Sequence, residues 1–463
     1  PWSLESGDAY EYAEMARRLA RGEGFTTGII YPAELWLGAG PDHPAGKFPP
    51  LWPAILAGPF ALFGAGDRVV HAVVGLLFAT LVAVSAALAT RLAGRGAGAC
   101  TAIAVASTPL LLALSLDGVS EIPFALAVTT VFLLCTTPER AGEKRPDGRA
   151  LAGAIGLACG LAYLIRYNGA VLLPVALGLL AVRRVPARSL LVCAGCFLLV
   201  ALPWWIRNWV VTGDPVYSLL NLNLYFAPVM TRLGGSLFFQ LEPDLSVAAA
   251  ADPLEKALVQ LPLLLRQLPF ASVNLAAFLG VLLACWRRDA VSIGLACCAV
   301  ATLVVVAFAL AMGRYFAPFF PPMIALGVAG WFRYGGRWRT PALAALLLAP
   351  LLPSLPTELP DVTLIRAWVA ETRAREVERA TDARERACLA DHPRVIAQQA
   401  ARLVWQHDLV AIYAPSKPDV IQRIAAEHPV RLAQLPDPRR APGERFTPRE
   451  DCGAGWYGVS PRL

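Results

Sequence analysis

Long apolar segments separated by short charged loops fill the middle of the chain. Ten segments have the composition of membrane spans, and they cover residues 68–92, 97–115, 121–136, 150–166, 168–183, 188–207, 271–287, 290–312, 315–332 and 340–354. The neighbouring segments 150–166 and 168–183 are short, which predicts a hairpin that thins the membrane locally. The pattern predicts an all-α polytopic membrane protein with about ten spans.

An amphipathic helix is predicted before the first span. Its apolar positions recur at three- and four-residue spacing, Ser6 is its N-cap, and Gly22 and Gly24 end it. Asp8 lies in the first turn, where the helix dipole favours a carboxylate. The polar face carries Glu11, Glu14, Arg17, Arg18 and Arg21.

The segment 51–63 is too short to span a membrane. Four prolines in and before it argue against a regular helix, namely Pro49, Pro50, Pro53 and Pro59. We therefore expect a re-entrant or interfacial piece. The chain starts at Pro1 without a signal peptide or a leading span, so an upstream span is expected to be missing from it.

The last part of the chain has the composition of a small soluble domain. A charged helix is predicted over 361–387, further helices over RVIAQQAARLVW and PDVIQRIAAEH, and strands at LVAIYA and VRLAQL. Cys388 and Cys452 are its two cysteines, and a disulfide between them is one outcome we consider. The predicted division is an external loop with its helix and juxtamembrane segment (1–67), a transmembrane catalytic module (68–355) and an extracytoplasmic α/β domain (356–463).

Composition agrees with this division. Hydrophobic residues make up 56% of the chain, charged residues 16%, and the mean hydropathy is +0.53, values that are typical of integral membrane proteins. The net charge is +7 without a dense basic tract, which argues against a nucleic-acid partner. Arginines cluster in the loops after every odd-numbered span, so the positive-inside rule puts these loops in the cytoplasm and Asp8 and the C-terminal domain outside.

Three arginines stand at the predicted outer ends of spans, where positive charge is disfavoured. Arg166, Arg207 and Arg314 each lie in an aromatic or polar cluster. Any one of them could snorkel to lipid head groups, but guanidinium groups also suit phosphate binding. Together they predict an anionic ligand at the outer membrane interface, with Lys47 as a further phosphate contact.

Acidic residues near the same predicted face add candidates for catalysis. Glu121 opens a span four residues after Asp117. Glu121 either begins a helix or assists Asp8, and Asp8 either supports its helix or takes part in chemistry. Asp8 and Glu121 are also the candidate ligands of a divalent metal. We favour the functional interpretation for Glu121 and the structural one for Asp117.

Six motifs in order resemble those of the bacterial GT-C membrane glycosyltransferases, which include protein O-mannosyltransferases and the aminoarabinose transferase of lipid A. They cover about residues 1–335 and read SGDAYEYAEMARRLARGEGF, KFPPLWPAILAGPFALFG, LSLDGVSEIPFALA, GLACGLAYLIRYNGAVLLPVAL, LPWWIRNWVVTGDPVYS and GRYFAPFFPP.

The resemblance implies transfer of a sugar from a polyprenyl-phosphate donor to a lipid, polysaccharide or protein acceptor, outside the bacterial inner membrane and with inversion. Asp8 matches the family's catalytic acidic position and would act as general base on the acceptor hydroxyl. The donor phosphate would be held by Arg314 and Arg207, with Lys47 and Arg166. Tyr12, Tyr315 and Asn168 are the candidate substrate-binding residues.

Two other functions stay open at the level of sequence. A transporter or flippase of lipid-linked substrates would also have many spans, although we see no internal repeat and the charges cluster at one face. An assembly protein, anchored by its spans, would tolerate changes at Asp8, Glu121 and Arg314. The sequence leaves the sugar and the acceptor open.

Overall fold

The structure is a computed structural model of the chain. It describes residues 4, 6–36, 38, 40, 43–137, 148–221, 237–242, 258, 261–262, 273–308, 313–348, 384–415, 418–428, 430–435, 446–452 and 455–460. Contacts divide the chain into two compact units. The helical unit consists of Pro1–Leu4, Phe48–Tyr217 and Ala257–Leu359, and the sheet unit consists of Glu5–Lys47, Ser218–Lys256 and Pro360–Leu463. The predicted domains 1–67, 68–355 and 356–463 stay a prediction beside this division.

The α-helices of the described residues follow the apolar segments of the sequence. In chain order they are α1 Gly7–Ala20, α2 Pro32–Trp36, α3 Leu51–Phe63, α4 Asp67–Ala93, α5 Arg95–Ala106, α6 Pro109–Ser115, α7 Glu121–Cys135, α8 Arg149–Ile165, α9 Leu172–Val182, α10 Ala187–Thr212, α11 Val273–Trp286, α12 Ala290–Phe308, α13 Phe320–Tyr334, α14 Arg339–Leu348, α15 Ala400–His407 and α16 Pro418–Glu427. Short 3-10 helices include Tyr167–Val171, Leu237–Phe239, Gly313–Phe319 and Gly336–Trp338. Most of the predicted charged helix over 361–387 lies outside the described residues.

Three helices of the described residues are long and apolar enough to cross a membrane, at Asp67–Ala93, Ala187–Thr212 and Arg314–Tyr334. The pair α5 and α6 is a fourth candidate, bent by 62°. The bend falls where Pro109 follows extended backbone at Thr108, because the residue before proline avoids helical backbone. The chain is therefore a mostly helical, multi-pass membrane protein, and ten spans are not confirmed.

The expectation that residues 51–63 form no regular helix was wrong, because α3 is a regular helix over Leu51–Phe63, while their re-entrant or interfacial placement stays a prediction. Pro53 lies in its first turn, where backbone N–H groups have no intrahelical acceptor in any case. Pro59 lies inside the helix and removes one backbone hydrogen bond there. Proline position within the helix, rather than proline content, decides whether a helix forms.

Glycines set the close approach of helices in the helical unit. A Cβ added at Gly156 of α8 would lie 2.0 Å from the Cys193 carbonyl oxygen of α10. The same test at Gly327 of α13 places a Cβ 2.2 Å from the Ala277 carbonyl oxygen of α11. Such small residues let helix backbones approach each other in membranes, where van der Waals packing drives helix association.

We expect Gly156→Ala to lower the stability of the protein in detergent by about 1–3 kcal/mol, because the methyl group must push α8 away from α10. Gly178→Ala is the matched control, since it also lies within a helix and a Cβ there meets nothing within 4 Å. Thermal unfolding of the two variants measures the difference. Equal melting temperatures for both variants would contradict the close packing at Gly156.

The sheet unit holds a six-stranded sheet in the order β2-β5-β4-β6-β8-β7. Its strands are β2 Ile29–Ile30, β4 Arg394–Ala397, β5 Val410–Tyr413, β6 Leu432–Gln434, β7 Phe446–Pro448 and β8 Trp456–Val459, while β1 Thr26–Thr27 pairs with β3 His43–Pro44. Strands β2, β5, β4 and β6 pair in parallel. Strand β8 pairs antiparallel with β6, and β7 pairs antiparallel with β8. One strand of the sheet thus comes from the start of the chain.

Of the four C-terminal helices and strands that were predicted within the described residues, three are confirmed and one is wrong. The strands at LVAIYA and VRLAQL are confirmed as β5 and β6, and the helix at PDVIQRIAAEH is confirmed as α16. The segment RVIAQQAARLVW is not one helix, because its first residues form β4 and α15 begins at Ala400. Val395, Ile396 and Ala397 are fully buried, as expected of an interior parallel strand with an uninterrupted apolar run.

The face of α1 that was predicted to be polar is buried against α15. Glu14 is 0% exposed, and its carboxylate forms ion pairs with Arg17 and Arg18. Arg17 also donates to the carbonyl oxygens of Val404 and Trp405, each at 2.9 Å. The Val404 carbonyl also accepts from the Asp408 N–H at 3.0 Å, so Arg17 adds to the contacts that close the last turn of α15.

Cys388 and Cys452 are joined in a disulfide that links positions 64 residues apart. The bond ties the segment before β4 to the segment between β7 and β8. A cross-link over a loop of this length restricts the unfolded chain and so stabilises the sheet unit.

Candidate functional site

A group of charged and phenolic side chains surrounds Lys47 in the sheet unit. The Lys47 ammonium lies 2.8 Å from Glu11 Oε1, 2.6 Å from the Tyr31 hydroxyl and 3.6 Å from Asp8 Oδ1. Tyr31 donates to Glu11 Oε1 at 2.7 Å. We call Asp8, Glu11, Tyr31, Lys47 and Tyr413 the lysine cluster.

Local structure explains how the lysine cluster assembles. Asp8 and Glu11 are three residues apart on α1, so their carboxylates share one side of the helix. Tyr31 directly follows β2, and Tyr413 ends the neighbouring parallel strand β5. Carboxyl ends of parallel strands are common ligand-binding positions in open α/β sheets.

Aromatic rings form one wall of the lysine cluster. The Tyr31 and Tyr413 rings stack with centroids 4.6 Å apart, and Phe239 packs on both, at 5.7 Å and 5.5 Å. The Lys47 ammonium lies 4.9 Å from the centroid of the Tyr31 ring. The rings hold the ammonium in place and limit its contact with water.

Burial and charge set the ionisation of the cluster. Burial raises the pKa of the Glu11 carboxyl above its ordinary value, and the Lys47 ammonium only partly offsets this. Burial alone would lower the pKa of Lys47, but Glu11 and Asp8 together raise it. Burial, followed by the Glu11 carboxylate, raises the pKa of both Tyr31 and Tyr413. Lys47 is therefore cationic and both tyrosines are protonated at neutral pH.

Exposure separates the two carboxylates of α1. The Asp8 side chain is 26% exposed, whereas Glu11 is 7% exposed and bonded to Lys47 and Tyr31. Asp8 is thus the carboxylate of this pair that a substrate can reach. Glu11 was missed as a site residue from the sequence, although its spacing from Asp8 was a usable signal.

A second charged group lies in the helical unit around Glu121, the first residue of α7. Glu121 is 2% exposed. Its Oε1 lies 3.0 Å from Arg166 Nη1 and 3.6 Å from Arg314 Nε, and both distances are within the range of an ion pair. Arg166 also donates to the Ser120 hydroxyl at 2.9 Å. Both guanidinium groups lie over the Tyr315 ring, at 5.1 Å and 5.9 Å. We call Glu121, Arg166, Arg314 and Tyr315 the arginine cluster.

Three elements bring the arginine cluster together. Arg166 follows the last residue of α8, and Arg314 and Tyr315 lie in the 3-10 helix Gly313–Phe319, which packs against α7. Two guanidinium groups face one carboxylate, so the cluster carries net positive charge. Because Arg166 and Arg314 are 16% and 26% exposed, they can also contact an anionic ligand.

The other predicted site residues have different surroundings. Arg207 donates to Asn208 Oδ1 at 3.0 Å and lies 4.6 Å from the Trp204 ring, and Trp204 donates to the Tyr167 hydroxyl at 3.1 Å. Asn168 lies in the 3-10 helix Tyr167–Val171, and its Oδ1 is buried with no hydrogen-bond partner among the described residues. Tyr12 is 3% exposed within α1, so its role as a substrate contact stays a prediction.

The one group of three metal-ligand side chains found among the described residues is Cys388, Asp451 and Cys452. Its two cysteines are joined in the disulfide, which leaves no thiolate to bind an ion. In the lysine cluster, the ammonium of Lys47 supplies the positive charge between Asp8 and Glu11. The metal-binding roles of Asp8 and Glu121 stay a prediction.

Comparisons with known proteins found one family match and several matches of fold. A family model described as dolichyl-phosphate-mannose-protein mannosyltransferase matches residues 42–207. The oligosaccharyltransferase AglB of Archaeoglobus fulgidus, in complex with an inhibitory peptide and a dolichol-phosphate, is 13% identical with a TM-score of 0.51, over 92% of this chain and 65% of that chain. ArnT of Cupriavidus metallidurans in the apo state is 19% identical with a TM-score of 0.48, over 77% of this chain and 62% of that chain.

No curated protein matches the chain significantly. The family match over residues 42–207 and the fold shared with AglB agree with the resemblance to GT-C membrane glycosyltransferases that the motifs carry. The matched range 42–207 includes Lys47, Glu121, Arg166 and Arg207. The chain spans about 62% of the length of the ArnT chain.

Proposed function

We propose that this protein transfers a sugar from a polyprenyl-phosphate donor to a hydroxyl group of a lipid, polysaccharide or protein acceptor. The observation that carries the proposal is the arginine cluster, in which Arg166 and Arg314 stay partly exposed while they pair with the buried Glu121. The description of the matched family, whose donor is mannose on dolichyl phosphate, supports a lipid phosphate as the leaving group.

Each cluster has a part in the proposed reaction. Asp8 accepts the proton of the acceptor hydroxyl, and the acceptor oxygen bonds to the anomeric carbon of the sugar. The bond from that carbon to the phosphate oxygen breaks, and the electron pair stays on the phosphate. Arg166 and Arg314 stabilise the departing phosphate. Attack opposite the leaving group inverts the anomeric carbon.

Other residues assist these roles in the proposal. Lys47, held by Glu11 and Tyr31 and 3.6 Å from Asp8, adds positive charge for the donor phosphate. Arg207, with Trp204, contributes a further cation toward the donor. Tyr315 and Asn168 contact the substrate.

We also propose that the sheet unit lies outside the bacterial inner membrane. The Cys388–Cys452 disulfide supports this placement, because disulfides persist in oxidising compartments and are rare in the cytosol. The arginine-rich loops after the odd-numbered predicted spans favour the cytoplasm by the positive-inside rule. Ten spans remain part of this proposal.

The proposal is tested with the purified protein in liposomes, after the polyprenyl-linked sugar that copurifies with it has been identified by mass spectrometry. We expect that this donor, labelled in the sugar, yields labelled acceptor and one equivalent of polyprenyl phosphate per transfer. Movement of the intact donor across the liposome membrane without release of polyprenyl phosphate would contradict the proposal and favour a flippase.

A further inference from the structure

An apolar groove lies among three helices of the helical unit, and none of its lining residues belongs to the arginine cluster. It has a volume of about 260 Å³ and is lined by Leu275, Ala276 and Leu279 of α11, Trp331 of α13, Trp338, and Ala342 of α14. The Trp331 indole N–H donates to the Ala276 carbonyl oxygen at 2.8 Å. The groove therefore offers hydrocarbon and aromatic surface to an occupant and no vacant polar group on Trp331.

The walls of this groove are held at a fixed spacing. α11 and α13 touch through glycines, because a Cβ at Gly280 would lie 2.2 Å from the Gly327 carbonyl oxygen. Trp338 ends the 3-10 helix Gly336–Trp338. Ala342 lies in α14, which also packs against α11. A groove with such walls is a preformed site rather than a gap that the side chains can close.

Positive charge is concentrated next to the groove. Arg333, Arg337 and Arg339 lie within seven residues of chain and are all exposed. The Arg337 guanidinium lies 5.6 Å from the ring of Trp338, which lines the groove, and the Arg339 guanidinium lies 5.4 Å from the Phe332 ring. Asp289, at 3.4 Å from Arg333 Nη1, partly neutralises that arginine. The charge nearest the groove is thus that of Arg337 and Arg339.

We infer that this groove binds an anionic phospholipid of the surrounding bilayer, with one acyl chain against Trp331 and Trp338 and the phosphate on Arg337 and Arg339. Basic residues beside grooves between membrane helices recognise anionic head groups. The apolar lining suits an acyl chain. The adjacent guanidinium groups favour a head group with a net negative charge over a zwitterionic one. The site is separate from the proposed sugar transfer, so it stands or falls independently.

The test uses the full chain purified in a neutral detergent and stripped of lipid, with native mass spectrometry as the measurement of binding. Phosphatidylglycerol and phosphatidylcholine with identical acyl chains are the two probes. We expect phosphatidylglycerol to bind at least tenfold more tightly to this protein. Equal binding of the two lipids would overturn the proposal.

Two variants separate the head group from the chain. Arg337→Gln with Arg339→Gln is expected to remove the preference for phosphatidylglycerol, and Ala342→Phe, which fills the groove, is expected to weaken both lipids. Arg188→Gln is the matched control, because it removes an exposed arginine at the start of α10 and should change neither affinity. Unchanged melting temperatures show that the variants are folded. Unaltered lipid binding in the two groove variants, or displacement of phosphatidylglycerol by equimolar polyprenyl phosphate, would overturn the assignment.

Discussion

Asp8→Asn is expected to reduce the rate of sugar transfer by about 10²- to 10⁴-fold, the usual contribution of a positioned general base. Asparagine keeps the size of the side chain but cannot accept the proton of the acceptor hydroxyl. The Lys47–Glu11 contact at 2.8 Å does not involve Asp8, so the lysine cluster should keep its structure. The initial rate in liposomes with labelled donor measures the loss.

The control for this experiment is Glu23→Gln, which removes another carboxylate just beyond the end of α1. Glu23 is 42% exposed and lies 3.5 Å from Arg18, so its loss should change the rate little. Donor binding by Asp8→Asn is expected to stay close to that of the unaltered protein. Turnover by Asp8→Asn at the rate of the Glu23→Gln control would remove Asp8 from the role of base.

Local signals in the sequence were sufficient for the helix that carries Asp8. The Ser6 hydroxyl accepts from the Ala9 N–H as an N-cap, and α1 ends at Ala20, shortly before the predicted end at Gly22. The burial of its polar face could not be predicted in the same way. Arg17 contacts carbonyl groups 387 and 388 residues away, and no local pattern reports such a partner.

The residues of the candidate site could also be predicted only in part from the sequence. Glu121, Arg166 and Arg314 were each predicted from polar residues at the ends of apolar segments, and the structure brings these three together. Tyr31 and Tyr413 were missed, because they meet only after β2, a strand of two residues, pairs with β5. A strand that short has no detectable alternation of apolar and polar positions, so its partner and the residue after it stay hidden in the sequence.

Loss of one arginine from the arginine cluster is expected to affect both stability and catalysis. Among the described residues, Arg166→Gln leaves the buried Glu121 with Arg314 as its ion-pair partner, at 3.6 Å. Removing one partner of a buried ion pair costs about 3 kcal/mol or more, because the other charge keeps its desolvation penalty. Transfer should fall by about 10²- to 10³-fold, the usual effect of removing one group that stabilises a developing negative charge.

The double variant Arg166→Gln with Glu121→Gln separates these two effects. It removes both charges of the 3.0 Å pair, so most of the lost stability should return. Donor phosphate binding and transfer should not return, because the guanidinium group is still absent. Melting temperature and donor affinity are measured on the same samples. If the double variant regained transfer along with stability, Arg166 would serve only to neutralise Glu121, and the phosphate-binding role would fall to other cations.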